Sequence, residues 1–446
     1  MYMPRNYSTL VGFSWILMIV MLFSACSTAK VGTIPQGTPD IGSGTPAVIP
    51  TPGPPAARPA DAQAFGAFYA FVRKKQLWVA LNRAHPVQVT NFDYSRDPNV
   101  FWHRPLWSPG DRHIAFIMDA QPVGLGGGGC PGPDSGAHGG LYVMNTATKQ
   151  FSLVTLPKVI DNTSVKGRPY DDFWQYISWE DAKHLLAWYN GPTGKVSDAA
   201  GLYRYNVETK QLKQVIPLKA LGVATLANPQ QDMPLLLSMR YSSGQLFYQV
   251  VVHPFRGKSQ LVIYRHAIAQ PAEQSKKILQ MGEEPWCATP QSGPYIRPGW
   301  DISPDGEQLA AQMILMGKSD QGVGAIQVRN LADNSMTALF TQAPAELLAH
   351  DLTLTWGPDS QTVVATEYHT LTQRGPYTAS LTNPTATQQY APNLAGQVVW
   401  RSDSSAFALQ STEPVDETGT SNIYVFQAGD KQGRTLLTDA HDFAWG

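Results

Sequence analysis

Trp300-Asp301-Ile302-Ser303-Pro304-Asp305-Gly306, followed two residues later by Leu309-Ala310-Ala311, decides how the chain folds. An aromatic or apolar strand runs into a tight Ser/Pro/Asp/Gly turn, and a second apolar strand leaves it. The same unit recurs as Leu106-Trp107-Ser108-Pro109-Gly110 before Ile114–Ile117, and as Trp356-Gly357-Pro358-Asp359-Ser360 before Val363–Ala365. It recurs again as Trp400-Arg401-Ser402-Asp403-Ser404 before Phe407–Leu409, with looser copies around Ser178–Asp181 and Tyr241–Gly244. Most copies lead into a second hairpin, opening at Leu141–Met144, Leu202–Tyr205, Leu261–Tyr264, Ile326–Val328 and Ile423–Phe426. Four strands per repeat make a propeller blade. Anchors near 107, 178, 240, 302, 356, 400 and 445 count seven, spaced 44 to 71 residues apart.

The chain stops at Phe443-Ala444-Trp445-Gly446, one strand into a new repeat. The strands needed to complete that repeat stand at the other end: 67–72, 76–80 and 87–90. A C-terminal strand completing the N-terminal blade would leave no open seam and no exposed edge. The expectation is an all-β, seven-bladed β-propeller of four-stranded blades over 63–446. Stacked β-sandwiches are the alternative, but they give no reason to end in mid-repeat.

These Ser-Pro-Asp-Gly turns resemble the WD40-like repeats of TolB-type propellers, and the resemblance covers most of the body. It implies an exported propeller that recognises other macromolecules. The tether described below runs straight into strands, so that family's separate N-terminal α/β domain has no counterpart here and a role in the Tol–Pal system is not implied. Similar repeats cover active sites in prolyl-oligopeptidase-like enzymes, but no hydrolase domain follows in this sequence.

Residues 1–25 read as an address. Leu10–Ala25 is an apolar run shorter than the ~20 residues a membrane span needs, with one basic residue, Arg5, before it. It ends in Phe23-Ser24-Ala25-Cys26, which resembles a bacterial lipoprotein signal. The resemblance implies acylation of Cys26 and a lipid-anchored body in the cell envelope, outside the cytoplasmic membrane or in the outer membrane. An uncleaved anchor helix is the alternative. Residues 26–62 are rich in Pro and Gly and poor in charge, so they bury too little apolar surface to offset ordering and read as a disordered tether.

Composition narrows the partners. Lys+Arg (33) and Asp+Glu (34) cancel, which excludes the basic footprint of a nucleic-acid binder. Charged residues are 15% of the chain, against a usual ~25%. The low charge fits blades that pack apolar faces on each other, and a monomer is expected. Three cysteines are too few for a disulfide scaffold. Cys130 and Cys287 are a disulfide candidate in an oxidising compartment, with two free thiols as the alternative. Neither has a second Cys or His at ligand spacing, so no metal is expected.

In a four-stranded blade, first-to-second and third-to-fourth turns lie on one face. Second-to-third loops and blade-to-blade connections lie on the other. The short Ser/Pro/Asp/Gly turns belong to the first set. The long segments belong to the second: 120–139, 190–200, 317–324, 411–421, and the connections 157–172 and 280–299. Loops gathered on one side of a rigid scaffold are the usual seat of function. That face carries the binding candidates: Asp171 and Asp172 beside Trp174, Glu283 and Glu284 beside Trp286, and Glu413 with Asp416 and Glu417. Cys130 and Cys287 fall in the same segments.

Catalytic motifs do not emerge. Gly124, Gly126 and Gly129 match G-x-G-x-x-G, but Cys130-Pro131-Gly132-Pro133 follows and cannot open the helix a dinucleotide needs. Gly317-Lys318-Ser319 and Gly257-Lys258-Ser259 have Gln312 and Val252 where a phosphate loop needs its first glycine. There is no G-x-S-x-G and no H-E-x-x-H. No catalytic residue and no cofactor is assigned. The expected function is non-catalytic binding of an envelope or extracellular protein, peptide or glycan. The alternative is an extracellular hydrolase or lyase using acidic residues at the channel mouth.

Overall fold

The computed structural model describes 68–446 apart from 82–84, 92–99, 103–104, 121–138, 155–173, 191–197, 226–229, 231–232, 253–258, 272, 285–298, 316–322, 344–351, 368–374, 391–395, 412–420 and 428–432. The signal-like segment 1–25, Cys26 and the tether 26–62 lie outside these residues.

The described residues form seven antiparallel sheets. Blade one holds β1 (Tyr69–Arg73), β2 (Gln76–Ala80) and β3 (Val87–Gln88). Blade two holds β4 (Val100–Trp102), β5 (Leu106–Trp107), β6 (His113–Ala120), β7 (Gly139–Asn145) and β8 (Phe151–Val154). Blade three runs β9 (Trp174–Trp179), β10 (His184–Tyr189), β11 (Gly201–Asn206) and β12 (Leu212–Pro217). Blade four runs β13 (Leu235–Ser242), β14 (Gln245–Val252), β15 (Ser259–Ala267) and β16 (Lys276–Glu284). Blade five runs β17 (Trp300–Ile302), β18 (Gln308–Leu315), β19 (Val323–Asn330) and β20 (Met336–Leu339). Blade six runs β21 (Leu352–Trp356), β22 (Thr362–Glu367), β23 (Tyr377–Ser380) and β24 (Asn383–Gln389). Blade seven runs β25 (Gly396–Trp400), β26 (Ala406–Ser411), β27 (Ile423–Gln427) and β28 (Arg434–Leu437).

The last strand, β29 (His441–Trp445), leaves blade seven and pairs antiparallel with β1, Tyr69 opposite Trp445 and Ala70 opposite Ala444. It supplies the first strand of blade one, as the truncated final repeat predicts. The inner strands β29, β5, β9, β13, β17, β21 and β25 touch in that order, and β25 touches β29 again. The ring is closed.

Apolar seams explain why the ring holds together. One cluster joins Ala70 and Val79 of blade one to Phe116 of blade two, and others follow at each successive boundary. The last joins Ala408 and Val425 of blade seven to Phe71, Phe443 and Trp445 of blade one. Burying both faces of each sheet in this way removes apolar area from water at about 25 cal/mol per Å².

Indole N–H groups staple some seams. Trp179 Nε1 donates to Leu106 O (3.1 Å), Trp356 Nε1 to Asp301 O (3.1 Å), and Trp445 Nε1 to Val399 O (3.2 Å). In each case the tryptophan ends its inner strand. The acceptor is the penultimate residue of the inner strand one blade earlier, so the bond repeats with the fold.

The turn chemistry explains the repeated Ser and Asp. Gln308 N donates to Ser303 Oγ (2.8 Å) and Glu307 N to Asp305 Oδ1 (3.0 Å), so side chains satisfy amides that no strand partner reaches. Burial would raise the Asp305 carboxyl, but hydrogen bonds from Ser303, Glu307 and Ser360 outweigh it and hold it below the usual range. The turns also bond to each other: Ser242 Oγ donates to Pro304 O (2.9 Å) and Ser243 Oγ to Asp305 O (2.8 Å).

Two local features depart from a regular repeat. The first strand of blade two is split, β4 and β5 both pairing with β6 on either side of 103–105. Pro105, which has no amide hydrogen, sits at the break. In blade three a single-turn helix, α1 (Leu218–Leu221), follows β12 and ends at Gly222, whose φ of 65° is left-handed. Among the described residues no helix is long and apolar enough to cross a membrane.

Candidate functional site

The meander fixes which segments leave from which end of a blade. In blade four a two-residue turn, Ser243-Gly244, joins the first strand β13 to the second strand β14. The segments 121–138, 190–200, 316–322, 368–376 and 412–422 join second to third strands, while 155–173 and 285–299 join blades. All of these leave from the opposite end. The strands shorten three of the expected loops: Ala120 closes β6 and Gly139 opens β7, Val323 opens β19, and β16 extends to Glu284.

The candidate residues fall as follows. Asp171, Asp172, Cys130, Trp286, Cys287, Glu413, Asp416 and Glu417 lie outside the described residues. Glu283 and Glu284 end β16, opposite Gln260 and Ser259 of β15, so they belong to a strand end and not to the connection. Trp174 opens β9 and has no exposed surface. Its ring packs on Tyr189 (5.5 Å between centroids) and Tyr203 (5.7 Å) in the seam between blades two and three. Its place is the core, beside the loop face and not on it.

Several carboxylates in the described residues are engaged locally. Arg204 holds Glu180 with two bonds, Nε to Oε2 at 2.5 Å and Nη2 to Oε1 at 2.7 Å. Asp181 Oδ1 accepts the amides of Lys183 (2.7 Å) and His184 (2.8 Å), and its Oδ2 meets His184 Nδ1 at 2.8 Å. Asp301 links three blades: Arg240 Nε of blade four donates to Oδ1 (3.2 Å), and Trp356 N of blade six donates to Oδ2 (2.9 Å). Burial pushes its carboxyl above the usual range, against the pull of Arg240.

One contact has the atoms of a nucleophile–base pair, Ser275 Oγ and His266 Nδ1 at 3.0 Å. His266 is only 2% exposed and its Nε2 has no partner, so neither an orienting carboxylate nor a route for substrate accompanies it. Burial lowers its pKa. His113 and His184 open β6 and β10 at equivalent blade positions, which is repeat geometry. Among the described residues no group of three His, Cys, Asp or Glu could hold a metal ion.

Two clefts open between neighbouring blades at the short-turn end. One, of about 490 Å³, lies between blades two and three and is lined by Arg112, His113 and the Lys183–Glu208 ion pair (2.9 Å). The other, of about 370 Å³, lies between blades six and seven along β24. Sequence reading passed over the second because β24 (Asn383-Pro384-Thr385-Ala386-Thr387-Gln388-Gln389) has no apolar alternation. Its residues are exposed or half-buried.

No family model and no curated protein matches this chain. Among solved structures, the chain is similar to TolB from Acinetobacter baumannii at 13% identity and a TM-score of 0.38, covering 85% of this chain and 67% of that one. It is also similar to the acylaminoacyl peptidase of Pyrococcus horikoshii, at 9% identity and a TM-score of 0.46 over 78% of this chain. It spans about half (48%) of that peptidase. The β-propeller domain of the Trilobed protease from Pyrococcus furiosus is similar at 11% identity and a TM-score of 0.43, covering 76% of this chain and 84% of that domain.

Proposed function

We propose that this chain is an exported, lipid-anchored, non-catalytic β-propeller. It holds an envelope or extracellular protein, peptide or glycan on the face from which its long segments leave. The observation that carries the reading is the one-sidedness of the connections. Turns as short as two residues close one end of the blades, while 121–138, 155–173, 285–299 and 412–422 all leave from the other. A closed ring with seven apolar seams is a rigid base for such segments, and rigid presentation lowers the ordering cost of binding. The anchor rests on the run Leu10–Cys26, and the reach of the body from the membrane on the Pro/Gly-rich 26–62.

The test replaces 121–138 and 285–298, separately, by short Gly-Ser connectors in the full chain. Retention of a partner from an envelope extract is expected to fall in both variants while far-UV circular dichroism stays unchanged. Undiminished retention in both would remove the reading. Turnover of glycan or peptide substrates by the full chain, lost on Asp171→Asn or Glu284→Gln, would replace it with the hydrolase or lyase reading.

A further inference from the structure

The face from which the long segments leave is uneven. In blades two to seven the second and third strands are joined by 121–138, 190–200, 253–258, 316–322, 368–376 and 412–422, six to eighteen residues each. In blade one the same link is Lys74-Lys75, two residues. The connection from blade seven into blade one is 438–440, three residues, where those between other blades have six to nineteen. The two short links touch: Arg73 Nη2 donates to Thr438 O (2.7 Å) and its Nε to Asp439 O (3.2 Å). One sector of the face, where blade seven meets blade one, is therefore low.

That sector is also basic. Lys74 is exposed, and Lys75 beside it is partly so. Arg73 is turned back on the two carbonyls, its guanidinium over the rings of Phe71 (5.1 Å) and Trp78 (5.9 Å). The nearby carboxylates are engaged: Asp439 lies within the field of Arg73, and Asp442 Oδ2 meets His441 Nδ1 at 2.6 Å. Lys74 is the cation left to meet a ligand, and Lys75 adds charge next to it. Both lysines have left-handed backbones, with φ of 50° and 57°. A two-residue turn of that kind favours Asn-Gly, because a Cβ strains a left-handed residue. The two-residue turn of blade four does place a glycine, Gly244, at φ 75°. Lysine gives the blade-one turn no conformational advantage, so what it contributes there is charge.

An exposed cationic tip selects an anionic ligand, and two facts narrow its kind. The charges of the whole chain cancel, so this is a local patch and not the broad footprint of a nucleic-acid binder. The described chain starts at Phe68, whose carbonyl accepts from Gly446 N (2.8 Å) and whose ring stacks on Trp107 (6.1 Å), beside the Ser108-Pro109-Gly110 turn. The chain thus enters the ring at the short-turn end, and Lys74-Lys75 stands at the other end, away from the anchored side. An anionic membrane surface fits that placement less well than a partner does. On the reading that this face holds a partner, we propose that the low sector over Lys74 and Lys75 receives a carboxylate-rich peptide segment of that partner. The segment reaches the face where no long link stands in its way, and its charge complements the lysines.

The test follows the fluorescence anisotropy of labelled hexaglutamate with the full chain at low salt, with hexaserine and inorganic hexaphosphate as competitors. Hexaglutamate is expected to bind with Kd of about 1 mM or tighter, and hexaserine not to compete. The double variant Lys74→Asn with Lys75→Gly supplies the turn with its favoured residues and removes both charges. It is expected to bind at least about fivefold more weakly while its urea midpoint holds or rises, so lost binding cannot come from lost folding. Lys74→Arg with Lys75→Arg is expected to bind as the parent does. No hexaglutamate binding at about 1 mM, equal affinity in the Asn-Gly variant, or tighter binding of hexaphosphate than of hexaglutamate would each overturn the proposal. Envelope-extract retention separates it from the reading it rests on. Full retention by the Asn-Gly variant, with loss when 121–138 or 285–298 is replaced, would sink this proposal alone, whereas undiminished retention in both loop variants would sink that reading.

Discussion

Exchanging tryptophan for phenylalanine at five equivalent positions separates the hydrogen bond between blades from the bulk of the ring that makes it. Trp179, Trp356 and Trp445 each donate to a carbonyl one blade earlier, at 3.1, 3.1 and 3.2 Å. Trp107 and Trp400 occupy the same position, and the N–H of each is buried without a partner. Every Trp→Phe change removes similar ring volume, so that cost largely cancels across the set. What differs is the staple. A protein hydrogen bond contributes about 0.5–1.5 kcal/mol net, and a buried acceptor left alone adds about 1–3 kcal/mol. Only the Trp445 bond is fully buried, and it lies in the seam that closes the ring. Trp179→Phe and Trp356→Phe are therefore expected to cost about 1 kcal/mol more than Trp107→Phe or Trp400→Phe, and Trp445→Phe about 2–3 kcal/mol more. Urea unfolding of each variant, followed by far-UV circular dichroism, gives the comparison through the midpoint at constant slope. Equal costs at all five positions would refute the staple argument.

Two further perturbations probe the ring. Gly299 precedes β17, and a Cβ there would stand 2.0 Å from Leu352 O on the next blade. Gly299→Ala must push two inner strands apart, and a loss of at least about 1–3 kcal/mol in urea unfolding is expected; an unchanged midpoint would show that the strands are not so close. His266 has a folded pKa lowered chiefly by burial, with Glu273 pulling the other way. Its contribution is thus complete above the unfolded value of about 6.5 and is lost as pH falls below it, because the unfolded chain takes the proton first. Between about pH 7 and pH 5 the thermal midpoint of the parent is expected to fall more than that of His266→Leu, and parallel curves would contradict the assignment.

The fold was legible because one unit, strand–turn–strand, repeats with its turn chemistry intact. Ser303 and Asp305 cap their own turn amides, so the residues that mark the repeat in the sequence are those that build it. The ring closure was legible for a related reason, since Phe443-Ala444-Trp445 repeats the inner-strand pattern, and that strand pairs with β1. Elsewhere pattern and structure part company. β24 pairs through its backbone while its side chains are mostly polar, so no apolar alternation announces it. Trp174 follows two aspartates and reads as loop surface, yet as the first residue of β9 it turns into the seam and is fully buried. Trp400 reads as one more packing residue because its position in the repeat matches its neighbours. That its N–H, like that of Trp107, is buried without a partner is a three-dimensional fact that the pattern does not carry. Glu283 and Glu284 lie at a strand end because β16 runs five residues past the expected start of the connection at 280.

Site-resolved photo-crosslinking in the full chain, displayed on cells, tests the central claim that the long segments form the partner face. A photoreactive residue is placed in turn at positions within 121–138, 285–298 and 412–420, and at Gly110, Ser243 and Ser404 on the short-turn end. Adducts of discrete mass are expected from the long segments and not from the turns. Adducts from the turn positions alone would contradict the account.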